Sequence, residues 1–135
     1  MTRLNRPEQQ YQRAVFQHIA WRARPGVFAF HVPNGGWRSR VGSAILKAIG
    51  TVAGVPDIIC IFQGRVYALE LKAGRGRLTD VQRVAHGRLR EAGAVAAVAH
   101  GIDQALAQLE RWQLLRGTSP FPPTRLARSA SRASR

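Results

Sequence analysis

The 135-residue chain has few acidic residues, a single cysteine and no long apolar run. One cysteine cannot form an internal disulfide, and Cys60 lies inside the apolar run 58–62, so we expect it to be a small buried side chain. No apolar run approaches the roughly 20 residues that a membrane-spanning helix needs, and the N-terminus lacks the apolar stretch of a signal peptide. We therefore expect a soluble, cytoplasmic protein of one compact domain.

The scarcity of acid leaves the chain strongly basic. Lys and Arg together number 21 against 7 Asp and Glu, for a formal charge of +14, and only Lys47 and Lys72 are lysines. Arginine favours planar, bidentate partners such as phosphate. A single domain this basic repels itself unless it meets a polyanion, so nucleic acid is the leading partner. An arginine-rich composition inherited from a GC-rich genome is the alternative.

The pattern of apolar and turn residues predicts a mixed α/β domain with helices around a central sheet. Residues 1–116 form this domain, and residues 117–135, rich in Pro, Ser, Ala and Arg, form a disordered basic tail. The predicted helices are 5–22, 41–49, 79–92 and 102–112, and the predicted strands are 27–32, 58–62, 66–72 and 94–99. We expect the first helix to begin with a capping box of Asn5 and Glu8.

A predicted hairpin brings two carboxylates together. Strands 58–62 and 66–72 flank a turn at Gln63-Gly64, and this register places Asp57 opposite Glu70. Directly opposed side chains have Cβ atoms roughly 5 Å apart, so two like charges there destabilise the sheet unless a cation lies between them. Lys72 projects from the same face as Glu70, because strand side chains alternate with a period of two.

Two carboxylates and an amine around one point indicate metal-assisted phosphodiester chemistry. Hard oxygen ligands suit Mg²⁺ or Mn²⁺, which bind through one or two carboxylates plus phosphate. Such a metal activates water, and Lys72 can position that water or stabilise the developing charge. The alternative is structural: Asp57 at a strand entry, with Glu70 and Lys72 as a surface ion pair. Taken together, the three residues favour catalysis.

Several segments of the chain resemble those of a known family. Gly54-Val55-Pro56-Asp57 followed by Glu70-Leu71-Lys72 resembles the PD-(D/E)xK nucleases, whose restriction-endonuclease-like core is a mixed sheet flanked by helices. The flanking blocks resemble, more narrowly, the VRR-NUC group, the virus-type replication-repair nucleases. These blocks are His31-Val32-Pro33-Asn34-Gly35-Gly36, Leu46-Lys47, Ala73, and Gly76-Arg77-Leu78-Thr79-Asp80-Val81-Gln82.

The resemblance implies roles for particular residues. Asp57 and Glu70 match the family's metal ligands, with the carbonyl of Leu71 as an additional ligand, and Lys72 matches its catalytic lysine. Gln82 matches the family's helix glutamine, although Thr79-x-x-Gln82 is also a capping box. Glu8 matches an acidic residue that often helps at the site in related nucleases, although it is also the expected capping acid of the first helix.

The resemblance also implies an activity. Stand-alone members resemble homodimeric enzymes acting on four-way (Holliday) junctions in replication, recombination or repair, and larger members carry the domain in flap-recognising repair nucleases. A Mg²⁺- or Mn²⁺-dependent DNA endonuclease, in a homodimer, is therefore the expectation. The alternatives are a non-catalytic basic nucleic-acid-binding protein, and a flap or sequence-specific nuclease with the same active site.

Basic residues in Gly-rich or turn segments are the predicted phosphate contacts, because such backbone lets a polyanion approach closely. They are Arg38, Arg40, Lys47, Arg75 and Arg77. Trp37 is the tryptophan best placed to stack on an unpaired base, whereas Trp21 and Trp112 lie on helices and fit a core or interface. His31 and His86 could each approach the site, but a lone histidine is more often structural.

Overall fold

The computed structural model describes residues 6–33 and 40–117, and of residues 40 and 41 it describes the backbone only. Four helices and four strands lie within these ranges. In chain order they are α1 (Pro7–Arg22), β1 (Phe28–His31), α2 (Arg40–Ala48), β2 (Ile58–Phe62), β3 (Arg65–Lys72), α3 (Asp80–Glu91), β4 (Val95–His100) and α4 (Ile102–Arg111). Asn5, the predicted turn at 34–36 and the tail beyond residue 117 lie outside the described residues.

The strands form one mixed sheet in the order β1-β2-β3-β4. The pairs β1–β2 and β2–β3 are antiparallel, whereas β3 and β4 are parallel and are joined through α3. A parallel pair needs a long crossover, which the 79–92 segment supplies as a helix. The predicted α/β class with a central mixed sheet is confirmed.

The β2–β3 hairpin has the predicted register. Phe62 pairs with Arg65, and Ile58 pairs with Leu69. Gln63 (φ 50°) and Gly64 (φ 75°) both adopt the left-handed conformation, the backbone of a primed two-residue turn whose twist matches the flanking strands. Because the turn occupies only these two residues, β3 begins at Arg65, one residue earlier than predicted.

The main core lies on the face of the sheet that α1 and α4 cover. Ile58, Leu69 and Leu71 point to this face and are almost fully buried, with Val15 of α1 and Leu109 of α4 packed against them. Burying an aliphatic side chain of this size stabilises the fold by roughly 1.5–3 kcal/mol. Glu70 and Lys72 alternate with these leucines and therefore point to the opposite face, where α3 lies.

Helix α1 begins later than predicted, so the expected capping box is wrong. The residue that caps α1 is Arg6, whose side chain makes no capping hydrogen bond, and Pro7 is the first helical residue. Proline is well suited to this position because its fixed φ matches the helix and its missing N–H needs no partner there. Glu8 is then the second helical residue, one position too early to be the acid of a capping box.

Helix α3 has the predicted ends. Thr79 accepts a hydrogen bond from the Gln82 backbone N–H, and the Gln82 side chain accepts one from the Thr79 N–H, which confirms the capping box. At the other end, Gly93 (φ 99°) follows the capping Ala92 in the left-handed conformation.

Strand β4 is only partly buried, although residues 94–99 are all apolar. Val95 to Val98 are half-buried, and Ala99 is its one fully buried residue. The reason is its place at one edge of the sheet, with a neighbour on one side only. None of the helices in the described ranges is long and apolar enough to cross a membrane.

Candidate active site

The loop before β2 brings Asp57 to the site through a close backbone approach. Gly54 (φ 81°) lies against the start of α3, where an added Cβ would sit 2.6 Å from the carbonyl oxygen of Val81. Only glycine allows both this φ and this distance. The Asp57 carbonyl accepts hydrogen bonds from the Val32 N–H (3.0 Å) and from His31 Nδ1 (2.8 Å), so β1 holds it on the other side.

The carboxylates of Asp57 and Glu70 each accept a hydrogen bond from a backbone N–H on the opposite side of the hairpin. The backbone N–H of Leu71 donates to Asp57 Oδ2 at 2.9 Å, and the backbone N–H of Asp57 donates to Glu70 Oε2 at 3.2 Å. Each carboxylate therefore receives an N–H from the chain beside the other carboxylate. The hairpin brings the two carboxyl groups together as its register predicts.

Burial of this pair makes ionisation of both carboxyls costly. Burial raises the pKa of Asp57, which the hydrogen bond from the Leu71 N–H opposes. Burial and the neighbouring Asp57 charge together raise the pKa of Glu70 to about 8, although the charge of Lys72 acts in the opposite direction. Two carboxyl groups that resist simultaneous ionisation are the arrangement that a bound divalent cation stabilises.

A hydrogen-bond network joins Lys72 to Glu70 through Gln82. Lys72 Nζ donates to Gln82 Oε1 at 2.9 Å, and Gln82 Nε2 donates to Glu70 Oε1 at 2.9 Å. The direct distance from Lys72 Nζ to Glu70 Oε1 is 3.8 Å. The Gln82 side chain therefore caps α3 and at the same time orients the side chains of Lys72 and Glu70.

The loop after β3 closes over the aliphatic part of Lys72. An added Cβ at Gly76 would lie 3.5 Å from Cβ and Cδ of Lys72 and 3.1 Å from the Ala73 carbonyl oxygen. His100 Nε2 lies 2.7 Å from the Gly76 carbonyl oxygen and ties the loop to β4. Lys72 is only 9% exposed, so its amine faces the site and not bulk water.

Glu8 lies at the edge of the same site. Its Oε1 accepts a hydrogen bond of 3.4 Å from the Ala73 N–H, just after Lys72 in the chain. The charge of Glu8 also acts to raise the pKa of Asp57, which reflects its proximity. The sequence-predicted residues Asp57, Glu70, Lys72, Gln82 and Glu8 therefore lie together in the fold.

A cavity of about 510 Å³ opens beside Asp57 and Glu8, and we call it the α1 pocket. Besides those two residues, its described lining consists of Arg6, Gln9, Gln12, Arg13, Phe16 and His31. Sequence reasoning missed the α1 members of this set. The signal that could have found them is the spacing 9, 12, 13, 16, which places three polar side chains and one aromatic ring on one stripe of the helix that carries Glu8.

His86 lies inside the fold. It is fully buried against the sheet, and neither ring nitrogen has a hydrogen-bond partner within the described part of the chain. Burial, with the nearby positive charges of Arg90 and Lys72, lowers its pKa, which favours the neutral ring. This burial is incompatible with direct contact between His86 and DNA.

The predicted phosphate contacts are only partly described. Lys47 on α2, and Arg75 and Arg77 in the loop after β3, are exposed. Arg38, Trp37 and the side chain of Arg40 lie outside the described residues.

Of the other tryptophans, Trp21 is 67% exposed, whereas Trp112 packs on Tyr67 with ring centroids 5.3 Å apart. Cys60 is a buried free thiol, as predicted.

The described residues contain no group of three or more His, Cys, Asp or Glu side chains suited to a metal ion. A metal at this site would therefore depend on two carboxylates and backbone or water oxygens, not on a closed cage of side chains. This donor set fits a hard divalent cation that keeps several of its waters.

The fold is of the α/β class, a mixed sheet flanked by helices, and is consistent with the core of restriction-endonuclease-like nuclease domains. A solved structure described as "VRR_NUC domain protein" matches this chain with a TM-score of 0.61 at 25% sequence identity. The match covers 79% of this chain and 88% of that chain. It supports assignment of the chain to the VRR-NUC family. No protein-family model and no curated protein matches the sequence.

Proposed function

We propose that the protein is a Mg²⁺- or Mn²⁺-dependent endonuclease that hydrolyses phosphodiester bonds in structured DNA. A nuclease-like function in general follows from the VRR_NUC match. The observation that carries the finer proposal is the buried pair of Asp57 and Glu70, joined through Gln82 to the amine of Lys72. Burial and the charge of Asp57 make ionisation of Glu70 costly, and a divalent cation between the two acids would relieve this cost.

The carboxylates of Asp57 and Glu70 and the carbonyl of Leu71 would hold the metal. They are hard oxygen donors, and the resistance of the two acids to joint ionisation is relieved when a divalent cation lies between them. When bound, the metal lowers the pKa of a water and neutralises the scissile phosphate.

The chain's own residues would organise the remaining groups. Gln82 holds the Lys72 amine 2.9 Å from its own oxygen, and Lys72 is thereby kept beside Glu70 without a close ion pair. We propose that this amine orients the attacking water and stabilises charge that develops on the phosphate. Glu8, at the edge of the site, is proposed to orient a second water through its carboxylate.

We propose a four-way junction, or DNA of similar branching, as the substrate. The described fold has no helix-turn-helix or other base-reading module, so shape would guide recognition. The exposed Arg75 and Arg77 lie in the loop that follows Lys72, and Lys47 lies on α2, so these side chains are available to phosphates. Arg38 and Arg40 stay predicted members of this set. A flap substrate uses the same chemistry and is distinguished by the assay below.

A homodimer is part of the proposal, because two symmetric cuts in a junction need two active sites. Exposed apolar side chains support it: Phe28 and Phe30 on the edge strand β1, Ile45 on α2, and Ile49 just after α2. Helix α2 makes only sparse contacts with the other described helices and strands. Exposed apolar side chains of this size are candidates for burial in an interface. Sedimentation analysis should show a dimer that Ile45→Glu/Ile49→Glu converts to a monomer.

Two further predictions of the sequence accompany this function. Residues 1–116 should suffice for catalysis, and residues 117–135 should add only phosphate contacts that do not depend on sequence. A chain ending at residue 116 should therefore cut the same DNA with weaker, less salt-sensitive binding. A cytoplasmic location stays a prediction.

The decisive experiment compares DNA structures at equal length. Labelled four-way junction, flap, single-stranded and linear duplex DNA are incubated with the protein in Mg²⁺, Mn²⁺ or EDTA. We expect cutting of the junction with either metal and none in EDTA. Preferential cutting of the flap would replace the junction proposal, whereas tight binding without cutting in either metal would make the protein a non-catalytic DNA-binding protein.

A further inference from the structure

The α1 pocket is a recessed space beside the proposed catalytic centre. Its volume of about 510 Å³ lies within the usual range for small-ligand sites, roughly 300–1,000 Å³. Asp57 and His31 line one side of the pocket, and α1, with Glu8 in its first turn, lines the other side. A group that enters the pocket therefore lies directly next to the proposed scissile phosphate.

The lining of the pocket offers chemically distinct groups. Arg6 and Arg13 supply positive charge, Gln9 and Gln12 supply amides that both donate and accept hydrogen bonds, and Phe16 supplies an aromatic ring. Within the described part of the chain, no hydrogen bond or ion pair engages the side chains of Gln9, Gln12 or Arg13. These polar ends are therefore available to a ligand without the loss of an internal contact.

His31 adds a polar edge at the base of the pocket. Its Nδ1 lies 2.8 Å from the carbonyl oxygen of Asp57, which can only accept, so Nδ1 carries the proton. In the neutral ring Nε2 is then an acceptor, and His31 is exposed on the pocket side. The hydrogen bond to the Asp57 backbone fixes the orientation of this acceptor relative to the carboxylates.

These groups match the parts of one nucleotide. Guanidinium groups bind phosphate, amides pair with the hydrogen-bonding edge of a base, and an aromatic ring stacks on its face. A base inside a duplex has its pairing edge occupied, and a duplex is too wide to enter a recess of this volume. An unpaired nucleotide meets neither obstacle.

We propose that the α1 pocket binds one unpaired nucleotide of a DNA strand next to the cleaved phosphate, and thereby selects branched or frayed DNA over intact duplex. The pocket position relative to the cut rests on the proposed nuclease function, but the binding preference does not. Gln9, Gln12 and Arg13 are then specificity-determining residues, separate from the carboxylates and the amine that perform the reaction.

The test measures binding to two DNAs of equal length. One is a fully paired duplex. The other carries one unpaired 2-aminopurine nucleotide at a three-way branch. Binding is measured in EDTA, so that no strand is cut. The test variant is Gln9→Ala/Gln12→Ala/Arg13→Ala. The matched control, Gln10→Ala/Gln17→Ala/Arg111→Ala, removes the same side-chain types at exposed positions outside the pocket. Thermal melting verifies that both variants fold.

The wild type and the control should bind the branched DNA about tenfold more tightly than the duplex, as stacking and base contacts of this kind allow. The test variant should lose this preference to within about twofold, and its 2-aminopurine fluorescence should no longer change on binding. Equal loss of affinity for both DNAs would overturn the inference, as would an absence of preference in the wild type.

The outcome separates the two proposals. If the wild type cuts no DNA in Mg²⁺ or Mn²⁺ yet prefers the unpaired nucleotide through the α1 pocket, the nuclease proposal fails and the pocket inference stands. If it cuts branched DNA and the test variant keeps the same preference, the nuclease proposal stands and the pocket inference fails.

Discussion

Substitution of Glu70 by Gln should stabilise the metal-free protein at alkaline pH. The folded state raises the pKa of Glu70 from 4.5 to about 8 through burial and the charge of Asp57. The folded protein therefore holds a proton that the unfolded chain releases, and stability falls as pH rises between these values. At roughly 1.4 kcal/mol per pH unit, this amounts to about 5 kcal/mol across the interval.

The neutral amide of the Glu70→Gln variant removes this titration but does not reproduce every contact. Glu70 accepts from the Asp57 N–H and from Gln82, and an amide has only one accepting oxygen, so one bond worth about 1 kcal/mol is lost. By pH 5 the wild type has already lost roughly 1 kcal/mol through this titration, which offsets the missing bond. We therefore expect Glu70→Gln to be about as stable as the wild type at pH 5 and about 3–4 kcal/mol more stable at pH 8.5.

Urea unfolding in EDTA, followed by tryptophan fluorescence from pH 5 to 8.5, measures this difference. Glu91→Gln is the control, because Glu91 is an exposed carboxylate at the end of α3. Addition of Mn²⁺ at a hundredfold excess over its dissociation constant should stabilise the wild type by about 2.7 kcal/mol and leave Glu70→Gln unchanged. A wild-type–variant difference that is constant with pH would refute the reasoning.

Three other predictions concern single residues. Gly54→Ala should lower the free energy of unfolding by at least about 2 kcal/mol, and by more than Gly50→Ala. Both glycines have positive φ, but only Gly54 is crowded by another segment. Equal losses of stability in urea unfolding would contradict the crowding at Gly54. Lys72→Met should slow single-turnover cleavage at least about 100-fold while DNA affinity changes little; a rate within tenfold of the wild type would exclude the proposed role. The Cys60 thiol, whose pKa burial raises to about 11, should react with an aromatic disulfide at pH 8 only as fast as the protein unfolds, so rapid reaction of native protein would contradict its burial.

The local parts of the site could be predicted because short-range rules determine them. The two-residue turn at Gln63-Gly64 sets the register that pairs Ile58 with Leu69, and this register brings Asp57 to Glu70. The capping box of Thr79 and Gln82 is likewise decided by residues three positions apart. These features could be predicted without knowledge of how the helices pack.

The remaining features depend on contacts between distant segments. The α1 pocket exists because α1 packs against β3 and α4, which no pattern within residues 7–22 specifies. The approach of Gly54 to Val81 is equally remote in sequence. The predicted start of α1 is wrong for a different reason: Pro7 fits the first helical position and moves the helix start past the expected cap.

The most direct test of the proposed centre is single-turnover cleavage of a four-way junction in Mg²⁺ by Asp57→Ala, compared with Asp103→Ala. Asp103 is an exposed carboxylate in the first turn of α4, away from the α1 pocket. We expect Asp57→Ala to abolish cutting while DNA affinity stays equal or rises, because a repelling charge is removed, and Asp103→Ala to cut at the wild-type rate. Cleavage by Asp57→Ala at a rate close to that of Asp103→Ala would contradict the assignment of the catalytic centre.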